Sequence, residues 1–90
     1  MKILITEPIH ESGIALLENK GYEVRVAPDA REETLIREVA DAAGLLVRMA
    51  AIPATVIDAA RELKVIGRHG VGYEKVDLAA ATRRKIPVSI

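Results

Sequence analysis

Ninety residues make one small domain, and half of them are hydrophobic with two tyrosines as the only aromatics, so a core has to be assembled from Ile, Leu, Val and Ala. Thirteen basic residues balance thirteen acidic ones, which removes the electrostatic grounds for a nucleic-acid or anionic-membrane partner. The absence of cysteine excludes a disulfide framework, a thiolate nucleophile and a cysteine metal site.

The first element is Lys2 to Thr6, a short β-rich run that Glu7-Pro8 ends, because proline cannot donate to a ladder. From His10 to Lys20, Ile14, Leu17 and their neighbours Ala15 and Leu16 fall at helical spacing, and Gly21 stands where a helix C-terminal glycine belongs. Tyr22 to Val26 alternates and reads as a half-exposed edge strand. Arg31 to Ala42 gathers Leu35, Ile36, Val39 and Ala40 on one face and charges on the other, a surface helix with one buried stripe. Gly44 to Val47 is wholly apolar, as expected of a strand covered on both faces. Pro53 is placed to open the next helix, with Val56, Ile57, Ala60 and Leu63 inward. Val65 to Arg68 is a strand, Leu78 to Arg84 a short helix, and Pro87 to Ile90 a last strand.

Strand and helix thus alternate through five strands, which predicts a parallel α/β sheet with right-handed crossovers. With the alternating strand in second place and the others apolar, the expected fold is a flavodoxin-like three-layer sandwich of strand order 2-1-3-4-5. No apolar run approaches the roughly 18 residues of a membrane helix, so a cytoplasmic protein is the expectation.

Between the fourth strand and the fourth helix, Gly67, Gly70 and Gly72 fall within six residues and lead to Asp77 at the head of an alanine-rich segment. Such a loop is either a turn that needs room or a cradle whose main-chain N–H groups hold a small anion. Its glycines run G-x-x-G-x-G, not the G-x-G-x-x-G of a dinucleotide fingerprint, and no acidic residue follows about 20 positions later in a second strand. Thr6-Glu7 and Val47-Arg48 stand where a response-regulator receiver would show paired acids and an aspartate.

The run Arg68-His69-Gly70-Val71-Gly72-Tyr73-Glu74-Lys75-Val76-Asp77-Leu78-Ala79-Ala80-Ala81, followed by Arg84-Lys85-Ile86-Pro87-Val88, resembles the NAD-dependent D-isomer-specific 2-hydroxyacid dehydrogenases, especially their D-3-phosphoglycerate dehydrogenase-like branch. The family pattern is roughly R-x-G-x-G-x-D-N-x-D, a short helix, then R-G-I-x-V. Lys2 to Thr6, Val47-Arg48 and Val56 to Leu63 extend the resemblance over essentially the whole chain. Glu74 and Lys75 depart from it, standing where the family usually has Asp-Asn.

The resemblance implies that residues 1–90 are the N-terminal portion of a substrate-binding domain, with the NAD-binding domain and its catalytic arginine, glutamate and histidine absent. It implies that the amides around Val71 and Gly72 hold a substrate carboxylate and that Arg48 and Met49 line the pocket. The partner of the complete enzyme is then a small 2-hydroxy or 2-oxo acid, with NAD as its cofactor and none in this chain. A guanidinium such as that of Arg48 pairs with carboxylate or phosphate through two parallel hydrogen bonds, although strand ends also carry plain surface arginines.

Other side chains read as structural. Arg68 is expected to anchor the glycine loop, His10 to start a helix, and Arg83-Arg84-Lys85 to be a solvated helix end favoured by the macrodipole. His69 is not expected to be a base, and two histidines so far apart give no metal spacing. The function expected is that of an inactive substrate-binding fragment of such a dehydrogenase. The alternative is a self-associating flavodoxin-like scaffold or a truncated polypeptide without small-molecule activity. A homo-oligomer is expected, by edge pairing at Tyr22 to Val26 or by exchange of the last strand.

Overall fold

The computed structural model describes residues 1–68 and 75–89. The strands are β1 (Lys2–Ile5), β2 (Glu23–Val26), β3 (Gly44–Val47), β4 (Val65–Arg68) and β5 (Val88–Ser89). The helices are α1 (Glu11–Asn19), α2 (Glu32–Glu38), α3 (Ala54–Ala59) and α4 (Leu78–Arg83). The sheet runs β2-β1-β3-β4-β5 with every pairing parallel, which is the order expected from the sequence.

Side-chain alternation sorts the sheet into two faces of unequal cover. Leu4, Leu45, Val47 and Ile66 point into one core with Leu35 and Val39 from the second helical segment, Val56, Ile57 and Ala60 from the third, and Ala80 and Ala81 from α4. Leu35, Val39, Val56, Ile57 and Ile66 are fully excluded from solvent. Among the described residues the opposite face is covered by α1 alone, and no residue of that helix is buried. Gly44 and Gly67 place no side chain there, so Ile3, Leu17, Leu46 and Val65 edge a shallow apolar groove.

Local chemistry fixes the element ends. The His10 ring nitrogen accepts from the Ser12 amide at 3.1 Å and caps α1, so the expected helix-start role holds. Gly21 takes φ +91° after the helix, and Tyr22 N donates to the Leu17 carbonyl at 3.2 Å, the closure of a Schellman turn. The Asp77 side chain accepts from the Ala80 amide at 3.0 Å at the head of α4. Most expected boundaries shift by a residue; in addition α2 ends at Glu38 and tightens into a 3₁₀ turn over Val39–Asp41, and Pro53 caps α3 from outside, with extended ψ 172°.

The basic cluster at the end of α4 is not wholly solvated, contrary to the expectation. The Arg84 guanidinium folds back onto α3, donating to the carbonyls of Ile57 and, at 3.4 Å, Arg61. The Ile57 carbonyl already accepts from the Ala60 amide at 3.1 Å, and the cation adds a second donor to it at the C-terminal end of α3, where a positive charge is favoured.

Candidate functional site

In a parallel sheet every strand delivers its loop to the same edge, and ligands settle where strand order reverses. Here the reversal lies between β1, which is flanked by β2, and β3, from which the sheet grows toward β5. The loop after β1 (residues 6–10) and the loop after β3 (residues 48–52) therefore face each other across the switch point.

The two loops are hydrogen-bonded to each other. One oxygen of the Glu7 carboxylate, Oε1, accepts from the Met49 amide at 2.6 Å and the Ala50 amide at 2.7 Å. The Thr6 hydroxyl donates to the same oxygen at 3.2 Å. Thr6 is buried, and its amide donates to the Leu46 carbonyl at 3.0 Å, so the start of the loop is fixed to the sheet. Arg48 lies exposed at the rim, with Nη1 donating to the Pro8 carbonyl at 3.2 Å. Met49 is also exposed, whereas Ala50 is buried under the turn.

Burial works against ionisation of Glu7, but the amides of Met49 and Ala50, the Thr6 hydroxyl and the Arg48 backbone outweigh it and hold the carboxyl below its ordinary range. At neutral pH the turn is thus wrapped around a carboxylate.

Of the residues expected at the site, Arg48 and Met49 stand together on the β3 loop at the switch point. Val71 and Gly72 lie outside the described residues, as does His69. Arg68, paired in register with Val47 at the same edge, is 7% exposed. Its Nε and Nη1 have no partner among the described residues. Its expected anchoring of the glycine loop falls on residues 69–74, which are also outside them. The site thus carries one exposed and one buried guanidinium, a donor set suited to carboxylate or phosphate. Among the described residues no three His, Asp or Glu gather as metal ligands, and no helix is long and apolar enough to cross a membrane.

The strand order expected from the sequence already brings the loop Glu7-Pro8-Ile9-His10 beside Arg48-Met49-Ala50-Ala51, but the sequence does not single out Glu7 there as a site residue. Its partners are more than 40 positions away, and an acidic residue before proline carries no signal of which main-chain amides it will meet.

The family model for the D-isomer specific 2-hydroxyacid dehydrogenase catalytic domain matches residues 3–90. A D-3-phosphoglycerate dehydrogenase of Archaeoglobus fulgidus is 45% identical over 98% of this chain, which covers 17% of that protein. A glyoxylate reductase of Thermococcus kodakarensis is 38% identical over 98% of the chain, covering 27% of the relative. Among solved structures, an NAD+-bound 3-phosphoglycerate dehydrogenase from Entamoeba histolytica superposes with a TM-score of 0.89 at 33% identity, over 98% of this chain and 32% of that one. The chain therefore spans about a sixth of the D-3-phosphoglycerate dehydrogenase it matches.

Proposed function

The chain belongs to the D-isomer specific 2-hydroxyacid dehydrogenase family, and from that premise we propose that it is the N-terminal portion of a substrate-binding domain. In the complete enzyme a hydride would pass between NAD and the C2 carbon of a small 2-hydroxy or 2-oxo acid. This portion contributes the recognition of the acid's anionic group and is inactive alone. A cytoplasmic setting goes with that chemistry.

The observation that carries the reading is the placement of Arg48 on a clamped loop at the topological switch point, with the Arg68 guanidinium buried at the same edge. A 2-oxo acid presents a planar carboxylate, and a guanidinium fork matches it with two parallel hydrogen bonds. Met49 beside it offers an apolar wall to the rest of a small substrate.

Among the described residues, those of the first strand-to-helix turn do not fit the nicotinamide cofactor itself. A pyrophosphate site needs a glycine turn opening onto free helix amides. Here the first strand-to-helix turn carries the Glu7 carboxylate and Pro8, and the Ser12 amide is already taken by His10.

Titration of the isotope-labelled chain with glyoxylate, followed at the Arg48 side chain, tests the proposal. Saturable shifts that vanish in Arg48→Ala are expected, and shifts that survive it unchanged would refute the assignment. Turnover of NADH and glyoxylate by the purified chain would refute the claim of inactivity.

A second reading has its own observation. The α1 face leaves Leu16 57% and Val65 42% exposed beside the groove of Ile3, Leu17 and Leu46. Apolar surface of that kind drives association, so the chain is read as a homo-oligomer that covers this face with a second copy. Light scattering coupled to size exclusion decides it, a monomer at every concentration being the contrary result.

A further inference from the structure

We propose that Glu7 is a positioning residue for the Arg48 loop: its carboxylate acts as an internal anion that occupies the turn's two amides and directs an incoming anion to the Arg48 guanidinium. The proposal rests on the reading of Arg48 as the substrate's anion contact.

Two successive main-chain N–H groups that converge on one point form a nest, and a nest attracts carboxylate or phosphate without any charged side chain. The amides of Met49 and Ala50 converge in this way, at 2.6 and 2.7 Å from a single oxygen. Left empty, they would compete with Arg48 for the substrate's anionic group and bind it one or two residues from where the guanidinium stands. Glu7 fills the nest from within the fold. Its own position is set by Thr6, which is buried and bonded through its amide to the Leu46 carbonyl on β3.

The same turn also aims the guanidinium. Arg48 Nη1 donates to the carbonyl of Pro8, the residue after Glu7, at 3.2 Å. Side chain and main chain of one loop are thus fastened to adjacent residues of the other. Sliding the loops past each other would break all three bonds together.

The test compares the wild-type chain with Glu7→Gln, which keeps an acceptor of the same shape but loses the charge, and Glu7→Ala, which loses both. Amide hydrogen exchange is read at residues 49 and 50, and glyoxylate is titrated while the Arg48 side chain and those amides are observed. Exchange at the two amides is expected to rise about tenfold or more in Glu7→Ala and less in Glu7→Gln, because bonds to a charged acceptor are the stronger ones. Glyoxylate affinity at Arg48 is expected to weaken in the same order, and in Glu7→Ala the response moves onto the amides of residues 49 and 50. That move separates positioning from a general loss of fold.

Equal exchange in all three chains overturns the proposal, as does undiminished glyoxylate binding at Arg48 in Glu7→Ala. Should Glu7→Ala fail to fold, the isosteric Glu7→Gln decides alone, by faster exchange or none. A wild-type chain that gives no response to glyoxylate while keeping the exchange order refutes the Arg48 reading and upholds the clamp.

Discussion

The guanidinium of Arg84, just past the last turn of α4, donates to the main-chain carbonyl of Ile57 in α3, 27 positions earlier. Ile57 is fully buried in the core, so this contact ties the C-terminal end of α3 to the helix that follows β4. Removing it in Arg84→Ala leaves two carbonyls without that donor and is expected to cost about 1–2 kcal/mol. The urea midpoint should fall with the slope unchanged. Arg84→Lys should recover only part, because a single ammonium does not present the planar fork that spans the carbonyls of Ile57 and Arg61.

Lys85 takes φ +58°, in the left-handed region, as the chain leaves α4. A side chain there crowds its own carbonyl, and the family pattern has glycine at this place. Lys85→Gly is expected to stabilise the chain by about 0.5–1 kcal/mol, the relief of strain exceeding the added freedom of the unfolded backbone. A rise in the thermal midpoint checks it.

The folded-state Glu7 carboxyl lies below its ordinary value of 4.5. Burial alone would raise it, and the hydrogen bonds from Met49, Ala50 and Thr6 prevail. The sign follows: the clamp's stabilisation is complete above the unfolded value and is lost as pH falls through the folded one. The stability difference between wild type and Glu7→Gln should therefore be constant from pH 7 to 5 and shrink below 4.5. A difference that grows on acidification would contradict it.

Leu16 projects from α1 with more than half its surface in water. Leu16→Glu should change folding stability by no more than about 0.5 kcal/mol, as surface substitutions do. The same change should shift the chain toward monomer in sedimentation equilibrium, since a charge on this face opposes burial against a second copy.

The parallel sheet and its order were legible along the chain because each strand is either an apolar run or an alternating one, and burial dictates that difference. Gly21 and His10 were legible for a related reason: a cap acts within one turn, so the residues that need each other are neighbours in sequence. Arg48 could be placed at a strand end, and the fold put that end at the switch point.

What the sequence did not reveal depends on separation. Glu7 and Ala50 are 43 residues apart, Arg84 and Ile57 27. Each joins a side chain to a main-chain group, and every residue but proline offers such a donor, every residue an acceptor, so residue type cannot mark the partner. Sequence by itself therefore determined the periodicity, the strand order and the place of Arg48 at the end of a strand. Only the tertiary structure decided that Glu7 fills the amides beneath Arg48 and that, among the described residues, α1 leaves a groove on its face of the sheet, because both follow from which loops and helices are brought together in space.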